Sequence, residues 1–206
     1  MSWMLDTNTR ACGGAVRWLR EIAYSEISDD GAAFAAIDRD AASVPVGAGG
    51  LLFHPYLLGE DAPYWDPTLQ ASFVGLHVTH GREHLARAVL EGTALALRDA
   101  MTTLGRWGPG FERSIFVGGG VLSPAWLAIV SDVLAMDGEV PEAADASLGA
   151  AMLAGVGAGL FETLEDSVER CYRVREHIRH TRANASAYDA VFERYLEARP
   201  APRAST

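Results

Sequence analysis

The chain has 206 residues, of which 49% are hydrophobic and 21% charged, a composition typical of one large or two small folded domains and unlike that of a disordered chain. Its formal charge of −10 argues against broad nonspecific binding to nucleic acid or to an anionic membrane. All 17 basic residues are arginine, so the chain lacks the lysine that a Walker A loop and Schiff-base catalysis both require. Two cysteines cannot form a disulfide framework, and we find no signal peptide and no apolar run of about 18 residues, so we expect a cytoplasmic protein.

The first half of the chain predicts two helices separated by β structure and a loop. Apolar residues share one helical face over residues 15–23, whereas residues 25–50 show a mixed pattern. Residues 51–59 are rich in β-forming residues and pass into a turn-rich loop at 60–67. From 79 to about 104 apolar residues recur every three or four positions, which predicts a long helix that Gly105 is suited to end.

The strongest local signal for chemistry lies between residues 115 and 136. A short apolar strand runs into Gly118, Gly119 and Gly120, and Ser123 is then a suitable N-cap for a helix. Glycine lets the main chain approach a ligand closely, and the helix is expected to point its free N–H groups and positive dipole end at this loop. The pattern predicts a site for phosphate, or for the ribose and base of a nucleotide, with a tight turn that binds nothing as the alternative.

A dinucleotide-binding fingerprint is a competing interpretation of the same segment. Gly118 and Gly120 with Ser123 come within one residue of that fingerprint, and Glu139 and Glu142 follow about twenty residues later. The part of the chain after Gly118 supplies one further weak strand, which is too little for a six-stranded doubly wound sheet. The pattern therefore disfavours an NAD-dependent oxidoreductase.

Three histidines, His77, His80 and His84, form the only histidine cluster of the sequence. Two of them are four residues apart at a helix start and could share a metal ion. No cysteine or aspartate stands at a supporting spacing, so we favour polar residues at a helix end and predict no metal-binding residue.

The end of the chain predicts a possible short strand at Val140, a small-residue helix at 147–159, and two arginine-rich helices at about 164–180 and 187–199. We expect a single α/β domain over residues 1–206, with a helical tail from about 162 to 206.

Several stretches in this order resemble the C-terminal half of the FGGY-family carbohydrate kinases, the xylulose kinases most closely. The stretches are 13–20 (GGAVRWLR), 55–60 (PYLLGE), 62–67 (APYWDP), 73–76 (FVGL), 84–92 (HLARAVLEG), 117–120 (VGGG), 123–124 (SP) and 147–151 (SLGAA). Each motif alone is weak, but their order is specific and covers nearly the whole chain.

The resemblance implies an actin-like, RNase H-like fold, with ATP and Mg²⁺ in a cleft between two domains. The nucleotide would lie mainly on the C-terminal domain and the sugar mainly on the N-terminal one. The positions that carry over by motif are Gly13 and Arg17, near the phosphates and ribose, Gly119 and Ser123, near the adenosine, and Gly118 and Gly120, which shape the loop. Related kinases can have Gln where Arg17 stands and Asn where Ser123 stands.

The resemblance also implies that parts of the machinery are absent from this chain. The general-base aspartate of these kinases, in a Gly-Asp-x-x-Ala type motif, and a second aspartate associated with magnesium both lie upstream of the matched region. We therefore expect no catalytic residue in this chain, a sugar bound only through an N-terminal domain that is missing, and no kinase turnover by the chain alone. The first strands of the domain would also be missing, and the exposed sheet edge predicts self-association or a partner chain. A non-catalytic remnant or assembly module that has lost ATP is the alternative.

Overall fold

The computed structural model describes residues 6–105, 111–143 and 145–200. Helices and strands are mixed along these ranges. In chain order they are α1 (Cys12–Ala23), α2 (Asp30–Ser43), β1 (Leu52–His54), β2 (Ser72–Val74), α3 (Arg82–Leu104), β3 (Ser114–Ile115), α4 (Pro124–Leu134), β4 (Gly138–Pro141), α5 (Ala146–Gly157), α6 (Leu164–Cys171), β5 (Val174–Ile178) and α7 (Arg182–Glu197).

The long helix α3 forms the centre of the core. It packs against α1, α2, α4 and β1, and its buried side chains include Val89, Leu90 and Leu95. At Gly92 the helix lies so close to β1 that an added Cβ would stand 2.1 Å from the carbonyl oxygen of Phe53. Glycine is therefore required here because the backbones of a helix and a strand nearly touch.

The strands form two small sheets. Strands β1 and β2 are antiparallel, with Leu52 opposite Val74. In the second sheet β4 lies in the middle, parallel to β3 and antiparallel to β5. Within the described ranges no strand pairs with the other side of β3, where Ile115 and Val117 are exposed.

A buried ion pair holds the C-terminal helix α7 on α3. Glu91 Oε1 accepts hydrogen bonds from Arg87 Nε at 2.7 Å, from the Tyr188 hydroxyl at 2.9 Å and from the backbone N–H of Gly47 at 3.0 Å. Burial raises the pKa of the Glu91 carboxyl, and the Arg87 guanidinium opposes that shift. The four groups satisfy one another, as a buried charged pair requires.

The structure confirms five predicted helices, which are α1, α3, α4, α5 and α7, and corrects two other expectations. The long helix runs from Arg82 to Leu104, and the helix capped by Ser123 begins at Pro124. The mixed segment contains α2, whose N-cap Asp29 accepts the N–H of Ala32. The arginine-rich helix predicted at about 164–180 is wrong beyond residue 171, because Val174–Ile178 form β5 and pair with β4. In the described part of the chain no helix is both long and apolar enough to cross a membrane.

Candidate functional site

The glycine loop predicted to bind a ligand is open to solvent. Gly118 has a φ of 79°, a conformation that favours glycine. No heavy atom beyond its own chain neighbours would lie within 4 Å of a Cβ on Gly118 or Gly119, whereas one on Gly120 would stand 3.0 Å from the ring of Trp126. The first two glycines therefore leave room for a ligand, and the third packs on the protein.

The N-terminus of α4 differs from the expectation that its N–H groups are free. The Ser123 hydroxyl accepts the N–H of Trp126 at 3.1 Å and donates to Asp38 Oδ1 at 2.6 Å. The backbone N–H of Ala125 also donates to the Asp38 carboxylate, and burial raises the pKa of that carboxyl against these bonds. This helix end is thus already neutralised by a carboxylate of the protein, which corrects the prediction of a free positive end beside the glycine loop.

The N-terminus of α1 has the opposite character. Its N-cap residue is Ala11, no side chain caps the end, and its first turn has no acidic residue. Gly13 and Gly14 are exposed, and apart from the nearby backbone of α1 no heavy atom would lie within 4 Å of a Cβ on either. Arg17 lies four residues after Gly13, on the same side of the helix, and it is exposed. Among the residues that the structure describes, the Arg17 guanidinium has no hydrogen-bond or ion-pair partner.

Two side chains connect the start of α1 with the glycine loop. The indole Nε1–H of Trp126 donates to Thr93 Oγ1 at 3.3 Å, and the Cys12 thiol is also hydrogen-bonded to Thr93. Since the Trp126 ring packs against Gly120, the chain of contacts runs from the first turn of α1 through α3 to the loop. Burial raises the pKa of the Cys12 thiol, which keeps it protonated at neutral pH.

Sequence reasoning missed three residues of this region. Asp38 lies 85 positions before Ser123, in a segment with no clear periodicity, so nothing in the sequence indicated their contact. Thr93 stands within the apolar pattern of α3, and Trp126 was interpreted only as part of a helix. The hydroxyl within an otherwise apolar stripe is the one signal that could have indicated Thr93.

The histidine cluster does not form a metal site in the structure. The rings of His80 and His84 lie 5.0 Å apart, but His80 Nε2 donates to the carbonyl oxygen of Gly49 and His84 Nδ1 accepts the N–H of Gly81. Throughout residues 6–105, 111–143 and 145–200, no three His, Cys, Asp or Glu side chains are grouped so that they could hold a metal ion. The described residues therefore offer no metal site built from protein ligands alone.

A separate depression on the described surface lies away from these residues. It encloses about 690 Å³ beside Tyr56 and is lined by residues 56–59 and 67–71. None of the positions predicted to contact a nucleotide lines it.

Comparisons with known proteins agree with the resemblance seen in the motifs. The family model described as "FGGY family of carbohydrate kinases, C-terminal domain" matches residues 1–158. The xylulose kinase of Staphylococcus epidermidis is 34% identical over 188 residues, which is 91% of this chain and 37% of that protein. The gluconokinase of Bacillus subtilis is 36% identical over 183 residues, which is 83% of this chain and 35% of that protein.

The solved structures show the same likeness. The crystal structure of the xylulose kinase from Rhodospirillum rubrum matches with a TM-score of 0.80 and 34% sequence identity, covering 92% of this chain and 38% of that one. The predicted α/β fold of a kinase C-terminal domain is thereby confirmed. The chain spans less than half the length of the curated relatives it matches, 37% in the case of the Staphylococcus protein.

Proposed function

This chain belongs to the FGGY family of carbohydrate kinases, and we propose that it forms the ATP-binding half of a sugar kinase. In this proposal residues 1–206 are the C-terminal domain, and a polypeptide with the remaining part of the family's fold binds the sugar. The reaction is transfer of a phosphoryl group from ATP to a sugar hydroxyl, in the cytoplasm. D-Xylulose, converted to xylulose 5-phosphate, is the favoured substrate because the xylulose kinase match covers 91% of the chain, against 83% for the gluconokinase match.

The observation that supports nucleotide binding is that the N-terminus of α1 is uncapped, whereas the N-terminus of α4 is already occupied by a carboxylate. Phosphate groups are favoured at an uncapped helix N-terminus with a free arginine nearby, as at Gly13 and Arg17. They are disfavoured at the start of α4, where the Asp38 carboxylate already lies. A bound nucleotide is therefore expected to place its phosphates at α1 and its adenosine at the open glycine loop.

The described residues can bind and orient a nucleotide but do not supply the groups that complete the reaction. ATP supplies the phosphoryl group when it is bound, and transfer depends on positioning and charge stabilisation from both sides of a cleft. Arg17 would hold the phosphates, while Gly118 and Gly119 would admit the adenosine. We expect the chain alone to give no ADP release above background with D-xylulose in a coupled assay.

Isothermal titration calorimetry with ADP tests the proposal directly. We expect the chain to bind ADP, and Arg17→Ala to weaken binding about tenfold because a charge-assisted hydrogen bond to phosphate is lost. Arg182→Ala is the matched control, since Arg182 is also exposed near a helix start but lies on α7. This control should leave the ADP affinity unchanged.

The alternative of a non-catalytic remnant makes the opposite prediction. If neither ADP nor ATP gives heat at millimolar concentration with a chain that unfolds cooperatively, the nucleotide site does not exist. If Arg17→Ala and Arg182→Ala weaken ADP equally, the phosphates do not lie at α1.

A further inference from the structure

The carboxylate of Asp38 stands where the loop and the helix end of the proposed nucleotide site meet. It projects from α2 and accepts the hydroxyl of Ser123 at 2.6 Å on one oxygen, Oδ1. Ser123 itself is held in place because it caps α4 through the N–H of Trp126. The side chain of Asp38 is half-buried, so part of it still faces solvent.

A ligand group that meets this carboxylate must be a hydrogen-bond donor. An ionised carboxylate has only acceptor sites, about four of them, and the bonds from Ser123 and Ala125 do not use them all. A second acceptor brought to the same place would lose its own hydration without gaining a partner. The site is therefore selective for a donor before the identity of the ligand is considered.

An aromatic side chain projects from the same side of α2 as this acceptor. Phe34 precedes Asp38 by four residues on α2, so both project from the same side of the helix. Phe34 is 36% exposed, which leaves part of its ring available to a flat ligand. The combination of an aromatic side chain, an open glycine loop and a carboxylate is suited to a base that carries an amino group.

We propose that Asp38 reads the edge of the purine base by accepting the exocyclic amino group of adenine, and thereby selects ADP and ATP over nucleotides whose purine carries an oxygen at that position. The inference rests on the proposed function, because it assigns a role within the same nucleotide site. It assigns the choice of base to α2, which has no residue among the positions carried over by motif.

Inosine diphosphate is the matched probe for this role. It shares the ribose and phosphates of ADP, but the amino group is replaced by a carbonyl oxygen, which is an acceptor. Next to Asp38, that oxygen would face the carboxylate, and two acceptors cannot form a hydrogen bond with each other. We therefore expect ADP to bind at least tenfold more tightly than IDP. Guanosine diphosphate has the same oxygen and should resemble IDP.

The variant Asp38→Asn tests the assignment. Asparagine keeps the shape and can still accept the Ser123 hydroxyl, but its amide also offers a donor to the oxygen of hypoxanthine. We expect the ratio of ADP to IDP affinity, measured by calorimetry, to fall from at least tenfold to about threefold or less. Asp145→Asn is the matched control, because Asp145 also accepts an N–H at a helix start, on α5, and that variant should keep the wild-type ratio.

The ratio is measured within one protein, so a partly unfolded variant does not distort it. An unchanged ADP to IDP ratio in Asp38→Asn would overturn the role of Asp38 while leaving nucleotide binding intact. A wild-type chain that binds ADP and IDP equally would also overturn it. If the wild-type chain binds neither, the proposed function fails and this inference fails with it.

Discussion

At the scale of single residues, Asp137 illustrates how one carboxylate joins two parts of the sheet. It immediately precedes β4 and accepts hydrogen bonds from the Arg179 guanidinium at 2.5 Å, from the ring of His180 at 2.8 Å and from the His180 backbone at 3.1 Å. These bonds, with Arg179 contributing most, lower the pKa of Asp137 to about 2. The two residues that follow β5 are thereby fixed to the start of β4.

The lowered pKa predicts a pH-dependent contribution to stability. Because the folded state holds the proton of Asp137 less tightly than the unfolded state, the contribution is present above pH ~4 and is lost as the pH falls through about 2. In Asp137→Asn we expect the free energy of unfolding by urea to lie below wild type at pH 6, and the difference to shrink as the pH approaches 2.

A second variant distinguishes the effect of the Asp137 contacts on stability from the effects of protonating other groups at low pH. Arg179→Ala removes the largest cause of the shift, so it should also lessen the fall in stability between pH 4 and pH 2. In the double variant the two effects should not add, because they describe one interaction. A difference between wild type and Asp137→Asn that stays constant from pH 6 to pH 2 would contradict this account.

At the scale of elements, replacing two helical glycines by alanine is expected to change the free energy of unfolding in opposite directions. Gly92→Ala places a methyl group 2.1 Å from the carbonyl oxygen of Phe53, so α3 and β1 must move apart. We expect a loss of about 3 kcal/mol in the free energy of unfolding by urea, the upper end of the usual cost of overpacking.

Gly149→Ala is the control for that substitution. Gly149 lies within α5, and apart from the nearby backbone of that helix no heavy atom would lie within 4 Å of a Cβ on it. Replacing it should raise the free energy of unfolding by about 0.5–1 kcal/mol, because alanine favours the helix over the unfolded chain. Equal effects of the two substitutions would show that the contact with Phe53 does not limit the packing of α3.

The elements also show which features the sequence could predict. Helix α3 has a long apolar period, and α4 has a cap, a proline and an apolar run, so local patterns were sufficient. Strand β5 was missed because its five residues lie between helices and only its pairing with β4 stabilises them as a strand. The contact of Asp38 with Ser123 was missed for a related reason, since it joins residues 85 positions apart. The glycine loop was predicted from its own local pattern, whereas only the motif resemblance assigned Gly13 and Arg17 to the same site.

At the scale of the whole molecule, the second sheet ends at an edge that the described residues leave uncovered. Strand β3 pairs with β4 on one side only, and next to it Ile115, Val117 and Leu122 are 46%, 59% and 80% exposed. Unpaired strand edges with apolar side chains favour pairing with another chain. The formal charge of −10 opposes association of two copies, and salt screens that repulsion.

These opposing effects predict a self-association that salt strengthens. We expect the mass measured by light scattering at fixed protein concentration to rise between 20 mM and 500 mM NaCl, as repulsion is screened and the β3 edge pairs. Val117→Lys should lower that mass at high salt because it places a charge beside the edge. Leu58→Lys, which changes a side chain that is 66% exposed in the loop between β1 and β2, should not. A wild-type monomer at both salt concentrations, or an equal effect of the two lysine substitutions, would show that the edge of β3 does not drive association.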